Sequence, residues 1–363
     1  MDAFYYTFLS LRGIQAAKEY YVSMCPLRLI PKIFLYDEEE LNPELRAQRT
    51  LNKARIPDIS RYIVENPKSY TFSALTASID ADIIFEPIEN QGMNRNVGYL
   101  KIPMGAKFLI NDGQHRRAAL EEALKIKPEL GDETITVVFF IDTGLRRSQQ
   151  MFADLNKHAV RPTKSLGILY DHRDPLSELA RNLSTAVPIF NSLTEMEKTS
   201  ISNRSTKLFT LSSIYQATQA LLKKKKYDEI SPGEQQLAIE FWIEVSKNIP
   251  DWQAAKARKV DTATLRSEYI HAHGLALHAI GIVGAGLLEL NPMDWKLKLQ
   301  ALKEIDWSRS NAKMWEGRAM VGGRVSKAYN NLILTVNIIK RALDLPLLKE
   351  EEHVEMQWEK GEI

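Results

Sequence analysis

The chain has 363 residues, of which 44% are hydrophobic and 26% are charged, and its formal net charge is +2. This composition is typical of a globular protein long enough for one large or two medium-sized domains, and it excludes a chain that is mostly disordered. No run approaches the roughly 18 apolar residues that a membrane span requires, and the N-terminus lacks the pattern of a signal peptide. We therefore expect a cytoplasmic protein with no membrane partner.

Up to about Asp142 the predicted elements are short and alternate between strand-like and helical patterns. The last of them, Ile135–Ile141, is a continuous apolar run that predicts a strand buried on both faces. Strand-like stretches also cover Val22–Leu35, Tyr70–Leu75, Ile83–Phe85 and Val97–Ile102, and helical patterns cover Pro43–Ala54 and Ile59–Glu65. This half therefore predicts a mixed α/β domain, and the whole chain an α+β protein.

The only cysteine, Cys25, cannot form an internal disulfide and fits a reducing compartment. It follows an aromatic-rich segment, which favours a small buried hydrophobic side chain. The alternative is a redox-sensitive thiol, or one at a DNA or dimer contact, and either role would require exposure and a lowered pKa.

The segment Phe108–Leu120 predicts a strand, a tight turn and a helix N-terminus. The first turn of a helix offers unpaired N–H groups and a positive dipole end, and Gly113 allows a ligand to approach the backbone. Asp112 could cap the helix, while His115 and Arg116 supply donors suited to phosphate oxygens. The alternative is an ordinary capped helix with two exposed basic residues. As metal ligands, Asp112 and His115 alone are too few to indicate a site.

From Leu145 onward the apolar residues repeat at helical spacing, and we predict an all-helical region. The predicted helices are Arg146–Lys157, Leu176–Leu183, Leu208–Lys225, Pro232–Ile249, Ser267–Leu290, Met293–Glu304 and Ser326–Leu343. Turn residues at 171–175 place the boundary near residue 175. The predicted organisation is thus a first domain over 1–175, a helical domain for DNA binding or oligomerisation over 176–345, and an acidic tail over 346–363.

Two further groups of residues follow from this helical pattern. Asn156 and Lys157, followed by His158, Arg161 and Lys164, come after a helix and could close over a bound phosphate, or form a solvated loop. His271, His273 and His278 lie in a predicted helix, where this spacing directs side chains to different faces. We therefore predict no zinc site and no other metal site.

Basic residues are concentrated in two stretches with few acids. Residues 198–227 contain seven basic residues and no acidic one among many Ser and Thr, and residues 307–341 contain seven basic residues against Glu316 alone, with Gly322 and Gly323 allowing close approach. Such stretches suit phosphate oxygens. The candidate DNA contacts are Arg204, Lys207, Lys223, Lys224, Lys225, Lys226, Arg318, Arg324 and Lys327.

Each basic stretch also has a structural interpretation. The run Lys223–Lys226 could simply be a solvated helix end, where cations favour the dipole. Trp307 and Trp315 could stack on unpaired bases, although core packing is the better prediction for both.

The pentapeptide Asp112–Arg116 resembles the signature of the DGQHR-domain proteins, which are similar to the N-terminal domain of ParB partition proteins and to sulfiredoxin. In those relatives the equivalent turn holds nucleotide phosphates. Gln114 stands where sulfiredoxin has its catalytic cysteine, so thiol chemistry is absent from the motif. The resemblance implies a ParB/sulfiredoxin-like N-terminal domain, with Gly113, Gln114, His115 and Arg116, together with Asn156 and Lys157, as candidate cofactor-binding residues.

The resemblance narrows to the DNA sulfur modification family DndB. It rests on segments spread through nearly the whole chain, namely 46–49, 56–62, 70–76, 151–156, 202–211 and 307–327. What it implies is a DNA-binding negative regulator of the phosphorothioate modification operon. The expected partners are double-stranded promoter DNA, other DNA sulfur modification proteins and further copies of the chain in a dimer or larger oligomer.

Enzymatic activity at the turn is the alternative hypothesis. His115 and Arg116 would hold the phosphates of ATP or another nucleotide, Gln114 would position water, and Asp112 would bind Mg²⁺ or accept a proton. The reaction would be nucleotide hydrolysis or DNA nicking. A third hypothesis combines the two, with nucleotide binding as a switch of DNA affinity.

Overall fold

The computed structural model describes residues 4–34, 53–143, 147–157 and 162–362. The chain divides into two compact units, Met1–Val160 and Arg161–Ile363, whereas the sequence placed the boundary near residue 175. The α+β class is confirmed. Most of the predicted helix Pro43–Ala54 lies outside the described residues, as do His158 and Arg161. None of the helices in the described part is long and apolar enough to span a membrane.

Within the described residues, seven strands of the first unit form one mixed sheet with the order β4-β5-β1-β2-β7-β3-β6. The only parallel pair among these strands is β3 with β7. The strands are β1 (Tyr5–Gln15), β2 (Lys18–Pro26), β3 (Leu75–Asp80), β4 (Ile84–Pro87), β5 (Val97–Pro103), β6 (Lys107–Asp112) and β7 (Thr134–Ile141).

The N-terminal hairpin of β1 and β2 was missed by the sequence prediction. Its turn is formed by Ala16 and Ala17, both with positive φ, so the usual Gly or Asn turn signal is absent. The predicted strand Val22–Leu35 was also too long. It ends at Pro26, and the chain continues as a 3-10 turn, Leu27–Leu29, and a short helix, α1 (Ile30–Ile33).

One face of the sheet carries the core of the first unit. The helices α2 (Ile56–Glu65) and α3 (Gln114–Ile126) contact each other, and α1 contacts α3. Their apolar side chains join Phe8, Tyr21 and Phe139 of the strands in one cluster. The prediction that β7 is buried on both faces is wrong, since its alternate residues are only half-buried. A further helix, α4 (Ser148–Lys157), contacts β6.

The second unit is mainly helical, as predicted, and has its own core. Its helices are α5 (Lys164–Tyr170), α6 (Pro175–Ala186), α7 (Pro188–Leu193), α8 (Leu211–Leu222), α9 (Pro232–Lys247), α10 (Pro250–Lys256), α11 (Thr262–Glu268), α12 (Gly274–Leu287), α13 (Pro292–Leu299), α14 (Ala312–Trp315), α15 (Tyr329–Ala342) and α16 (Lys349–Glu359). It also contains two small sheets that the sequence did not predict: the parallel pair β8 (Thr194–Glu195) and β9 (Phe209–Thr210), and the hairpin of β10 (Met320–Val321) and β11 (Arg324–Val325).

The predicted helix Ser267–Leu290 is interrupted. Tyr269 is extended and bridges to Ser308, and the N–H of Ile270 donates to the carbonyl of Trp307. These backbone bonds to a distant segment replace helical ones. The α12 helix then packs closely on α8, since a Cβ at Gly281 would lie 2.1 Å from the carbonyl oxygen of Ala217.

The residues predicted as an acidic tail form α16, which packs on α15. Glu351 and Glu355 are buried there. Glu351 pairs with Lys340 at 2.7 Å, and Glu355 pairs with Arg318 at 2.6 Å and Arg341 at 2.8 Å. The helix places these acids where buried cations need partners, so the segment is part of the folded unit.

Candidate functional site

Gly113 connects β6 to α3 with a φ of +104°. A Cβ at this position would lie 2.4 Å from Cδ2 of Leu75. Both the backbone conformation and the space therefore require glycine, because other residues rarely adopt positive φ and a methyl group would collide with a buried leucine. The predicted strand, turn and helix are confirmed at this position.

Arg116 is bound within the protein. One guanidinium nitrogen donates to the carbonyl of Ser73 at 2.5 Å, its hydroxyl at 2.6 Å and the carbonyl of Ala74 at 2.8 Å. The other pairs with Asp112 at 2.7 Å. The predicted cap by Asp112 is therefore wrong, since in the described structure its carboxylate accepts from Arg116 and from no first-turn N–H of α3. Arg116 joins the start of α3 to the segment before β3.

Gln114 is 9% exposed, and its amide donates to the carbonyl of Ile110. It is thus directed into the protein, which contradicts its predicted role in positioning water. His115 is half-buried, and burial together with the positive charge of Arg55 lowers its pKa. The ring is therefore neutral at pH 7. Together with the first-turn N–H groups of α3, which no side chain caps, it is the part of the motif that suits an anion.

Asn156 and Lys157 lie at the end of α4, and both are exposed. The side-chain amide of Asn156 donates to the carbonyl of Phe152. Because α4 contacts β6, the strand that leads into the Asp112 turn, the two elements are neighbours. Closure of this segment over a ligand stays a prediction.

The histidines of the second unit have structural contacts. His271 is fully buried and bonds to the indole of Trp252 and the carboxylate of Asp251, and His273 bonds to the carbonyl of Arg266. Among the described residues, no group of His, Cys, Asp and Glu could hold a metal ion. Cys25 is fully buried, and burial raises the pKa of its thiol to about 12. The interpretation as a buried hydrophobic side chain is confirmed.

Most of the lysine run is paired with acids. Lys223 pairs with Glu289 at 2.6 Å, Lys224 with Glu234 at 2.8 Å, and Lys226 with Asp171 at 3.2 Å. Residues 198–227 contain no acid, and the acidic partners of these lysines come from other segments of the chain. The run therefore presents much less net positive charge than its sequence indicates.

Arg318 is 5% exposed, and its guanidinium is bound to Glu355. The ring of Trp358 lies 3.7 Å from it. This side chain cannot reach DNA without unfolding the local structure, so the prediction of Arg318 as a DNA contact is wrong. Trp307 and Trp315 are buried and stack on each other at 5.5 Å, which confirms core packing for both.

The β10–β11 hairpin turns at Gly322 and Gly323, both with positive φ. The carboxylate of Glu316 accepts their two N–H groups at 2.5 and 3.2 Å, and Arg309 donates to the carbonyl of Gly323 at 2.6 Å. The tip is therefore held rigidly from one side. Glu316 is a residue whose role the sequence did not show, although its position as the single acid of a basic stretch was a signal.

Arg309 also links the hairpin to the other basic stretch. It donates to the carbonyl of Ser267, while the neighbouring Arg266 donates to the carbonyls of Ser202, Ser205 and Lys207. These bonds bring together two parts of the chain more than a hundred residues apart. We call the assembled set the basic surface. It consists of Arg204, Lys207, Arg309, Arg324 and Lys327.

Within the described residues, no member of the basic surface forms an ion pair with a carboxylate. The uncompensated charge affects two neighbouring histidines. Burial, and then the charges of Arg309 and Lys327, lower the pKa of His273 to about 4, and burial and Lys327 lower that of His278. An anion bound here would offset these positive charges and raise both pKa values.

The run Lys223–Lys226 lies apart from the basic surface. Lys327 lies close to Ser213 at the first turn of α8, whereas the lysine run begins at the other end of that helix. A helix of this length spans about 18 Å. The two stretches therefore do not form one continuous charge patch.

A family model described as DndB, DNA-sulfur modification-associated, matches residues 8–346. The chain belongs to this family. Membership implies involvement in DNA sulfur modification. No curated protein and no solved structure matches the chain, and the likeness of its first domain to ParB and sulfiredoxin stays a prediction. The family match ends before α16, the helix that pairs with Arg318.

Proposed function

We propose that this DndB-family protein is a DNA-binding negative regulator of the operon for bacterial DNA phosphorothioate modification, acting in the cytoplasm. Family membership supports the link to DNA sulfur modification. The observation that carries the DNA-binding part is the basic surface, where tertiary contacts join two distant acid-poor segments and leave five cations without carboxylate partners in the described chain.

The surface suits duplex DNA in two respects. Exposed Arg324 and Lys327 offer donors to phosphate oxygens, which supply most of the affinity of such proteins and its salt dependence. The hairpin tip is narrow because it contains two glycines, and Val321 beside it is 57% exposed. A short rigid tip of this kind fits a groove, where apolar contacts and base edges provide sequence preference.

The test is a fluorescence anisotropy titration at physiological salt with labelled duplex from the protein's own operon promoter and with a scrambled duplex of the same length. Selective binding of the promoter, with a linear fall of log affinity against log salt concentration, supports the proposal. Equal and weak binding of both duplexes contradicts it.

A second candidate is a nucleotide site at the Asp112–Arg116 turn, with hydrolysis or DNA nicking as its activity. It is favoured by the uncapped N-terminus of α3 beside the neutral His115. Calorimetry with ATP and Mg²⁺, with phosphate release measured in parallel, tests it. The variant to use is His115→Ala, since it keeps the hydrogen bonds that Gln114 and Arg116 donate to the carbonyls of Ile110 and Ala74.

The two candidates can be combined. If nucleotide binding at the turn changed DNA affinity, the promoter titration repeated with ATP and Mg²⁺ would give a shifted affinity. His115→Ala would abolish the shift without changing the affinity measured in the absence of nucleotide. Other DNA sulfur modification proteins are further proposed partners, on the basis of family membership alone.

A further inference from the structure

One face of the seven-stranded sheet is apolar over four neighbouring strands, with exposed side chains on β1, β2 and β5 and half-buried ones on β7. Leu9 on β1 lies opposite Tyr99 on β5, Leu11 lies opposite Val22 on β2, and Val22 lies opposite Val138 on β7. Because these are cross-strand partners, their side chains lie on the same side of the sheet. We call this set the open face. It consists of Leu9, Leu11, Tyr20, Val22, Met24, Tyr99, Val138 and Phe140.

The exposure of the open face is high for apolar residues in the middle of a sheet. Leu9 is 59% exposed, Leu11 55%, Met24 56% and Tyr99 48%. Tyr20 and Phe140 stack on each other at 5.7 Å at its border. Contiguous apolar surface of this kind marks an interaction site in a folded protein, because leaving it in water is unfavourable.

Towards β3 and β6 the sheet is covered on both sides, whereas Ile84 of the edge strand β4 is 44% exposed on the same side as the open face. The opposite face of these strands holds the core against α1, α2 and α3. On the side of the open face, Thr76 and Ser78 of β3 lie opposite Val138 and Phe140 of β7. Both are buried, and at this end of the sheet α4 contacts β6. The described chain therefore provides no cover for the open face or for the adjoining strand β4.

The chemistry of the open face limits its partner. Its eight residues carry no charge. The ion pair of Lys101 with Glu86, at 2.6 Å, lies at its rim on β5 and β4. Such a surface cannot bind phosphates, so it is separate from any DNA contact, and it does not favour a charged peptide. It requires a flat and apolar partner surface.

We propose that the open face is a dimer interface, on which the same face of a second copy of the chain packs around a two-fold axis. A contact between identical faces meets this requirement directly, since each copy presents the flat apolar surface that the other copy needs as a partner. Sheets pack face to face in this way in sandwiches, about 10 Å apart.

The size of the face also fits a dimer. Each residue on one side of a strand occupies about 4.8 Å by 6.6 Å, so the eight residues cover roughly 250 Å² in plan. Projecting side chains increase the accessible area, which brings a contact between two copies to the low end of the size range of specific interfaces, about 1,000–1,200 Å² in total. This inference goes beyond the proposed function and does not depend on it.

The first experiment measures the mass of the full-length protein by sedimentation velocity over about 1–100 µM. We expect the wild type to reach twice the 41.4 kDa chain mass. The double variant Leu9→Glu, Leu11→Glu places four carboxylates in the interface of each dimer and should weaken dimerisation at least about 100-fold. The matched control is Ile14→Glu, an apolar residue of β1 that is 73% exposed and has its side chain on the opposite side of the sheet.

A wild type that stays monomeric at about 100 µM overturns the proposal, and the open face would then be a binding site for a different protein. A double variant that dimerises like the wild type also overturns it. Loss of the dimer in the double variant but not in the control supports it.

A second measurement tests the dimer interface if the two glutamates disturb the folding of the protein. Leu9→Cys is a mild change, and the native Cys25 is fully buried, so the new thiol is the one that reacts with an alkylating reagent. We expect its alkylation to slow at least about tenfold when the protein concentration exceeds the dimer dissociation constant, while Ile14→Cys reacts at one rate throughout. An equal rate for Leu9→Cys at all concentrations overturns the proposal.

Discussion

The Asp112–Arg116 turn and the β10–β11 hairpin look alike in sequence, since each places an arginine within three residues of a glycine where the backbone could meet a phosphate. In the structure they differ. The guanidinium of Arg116 is bound to Ser73, Ala74 and Asp112, whereas Arg324 is exposed and the hairpin backbone is held by Glu316 and Arg309. A basic residue offers donors to a ligand when the protein's own carbonyls and carboxylates leave them unused, as at Arg324, whereas Arg309 donates to the carbonyls of Ser267 and Gly323 and contributes mainly its charge.

The largest expected effect is that of Arg116→Ala on stability. The substitution leaves the carbonyls of Ser73 and Ala74 and the carboxylate of Asp112 without their donor, which we expect to destabilise the first unit by about 2–4 kcal/mol. Far-UV circular dichroism during urea denaturation measures this destabilisation. All six tryptophans lie in the second unit, so their fluorescence serves as an internal control that should stay unchanged. A stability equal to wild type would make the arginine available for a ligand after all.

Gly113→Ala tests the same turn through its backbone. The positive φ and the collision with Leu75 should cost about 1–3 kcal/mol. Gly105→Ala is the matched control, since its Cβ meets nothing within 4 Å and its φ is not positive, and we expect a change below about 0.5 kcal/mol. Thermal denaturation of both variants checks this. Equal melting temperatures would contradict the steric argument.

At the hairpin the expected effect is on DNA affinity, with little change in stability. Arg324→Glu with Lys327→Glu should weaken promoter binding at least about tenfold and lower the salt slope by about 0.9 for each phosphate that the protein no longer neutralises. The matched control is Lys223→Glu with Lys225→Glu, two exposed lysines of the run beyond α8. An equal decrease in affinity in both variants would show that charge alone matters, and an unchanged affinity in the first would remove the hairpin from the interface.

The smallest expected effect is on histidine titration. The charge of Lys327 contributes to the lowered pKa of His278 and of His273, so Lys327→Met should raise both pKa values. The pKa of His273, about 4, lies below its unfolded value of about 6.5, so the unfolded state binds the proton more tightly. Stability is therefore lost as the pH falls from about 6.5 to 4, and less so in the variant. NMR titration measures the pKa values directly, and unchanged values would contradict the electrostatic argument.

Sequence patterns were most informative where local chemistry dominates. The strand, turn and helix around Gly113, most of the longer helices of the second unit and the core packing of Trp307 and Trp315 were predicted, because glycine, helical periodicity and aromatic residues leave local signals. The hairpin of β1 and β2 was missed, since two alanines in left-handed conformations form its turn. The interruption at Tyr269 was missed because its bonding partners lie in the segment around Trp307.

By itself the sequence determined the family, the α+β class and the set of basic residues that could bind an anion. Which of these residues remain available was decided by the tertiary structure. Lys223 and Arg318 pair with acids 66 and 37 residues away in the chain. The segments of Arg204 and Arg324 are instead held together by Arg266 and Arg309, and neither Arg204 nor Arg324 has such a partner in the described chain. The physical reason is that electrostatic compensation acts through space over a few ångströms, and the distance along the chain does not reveal it.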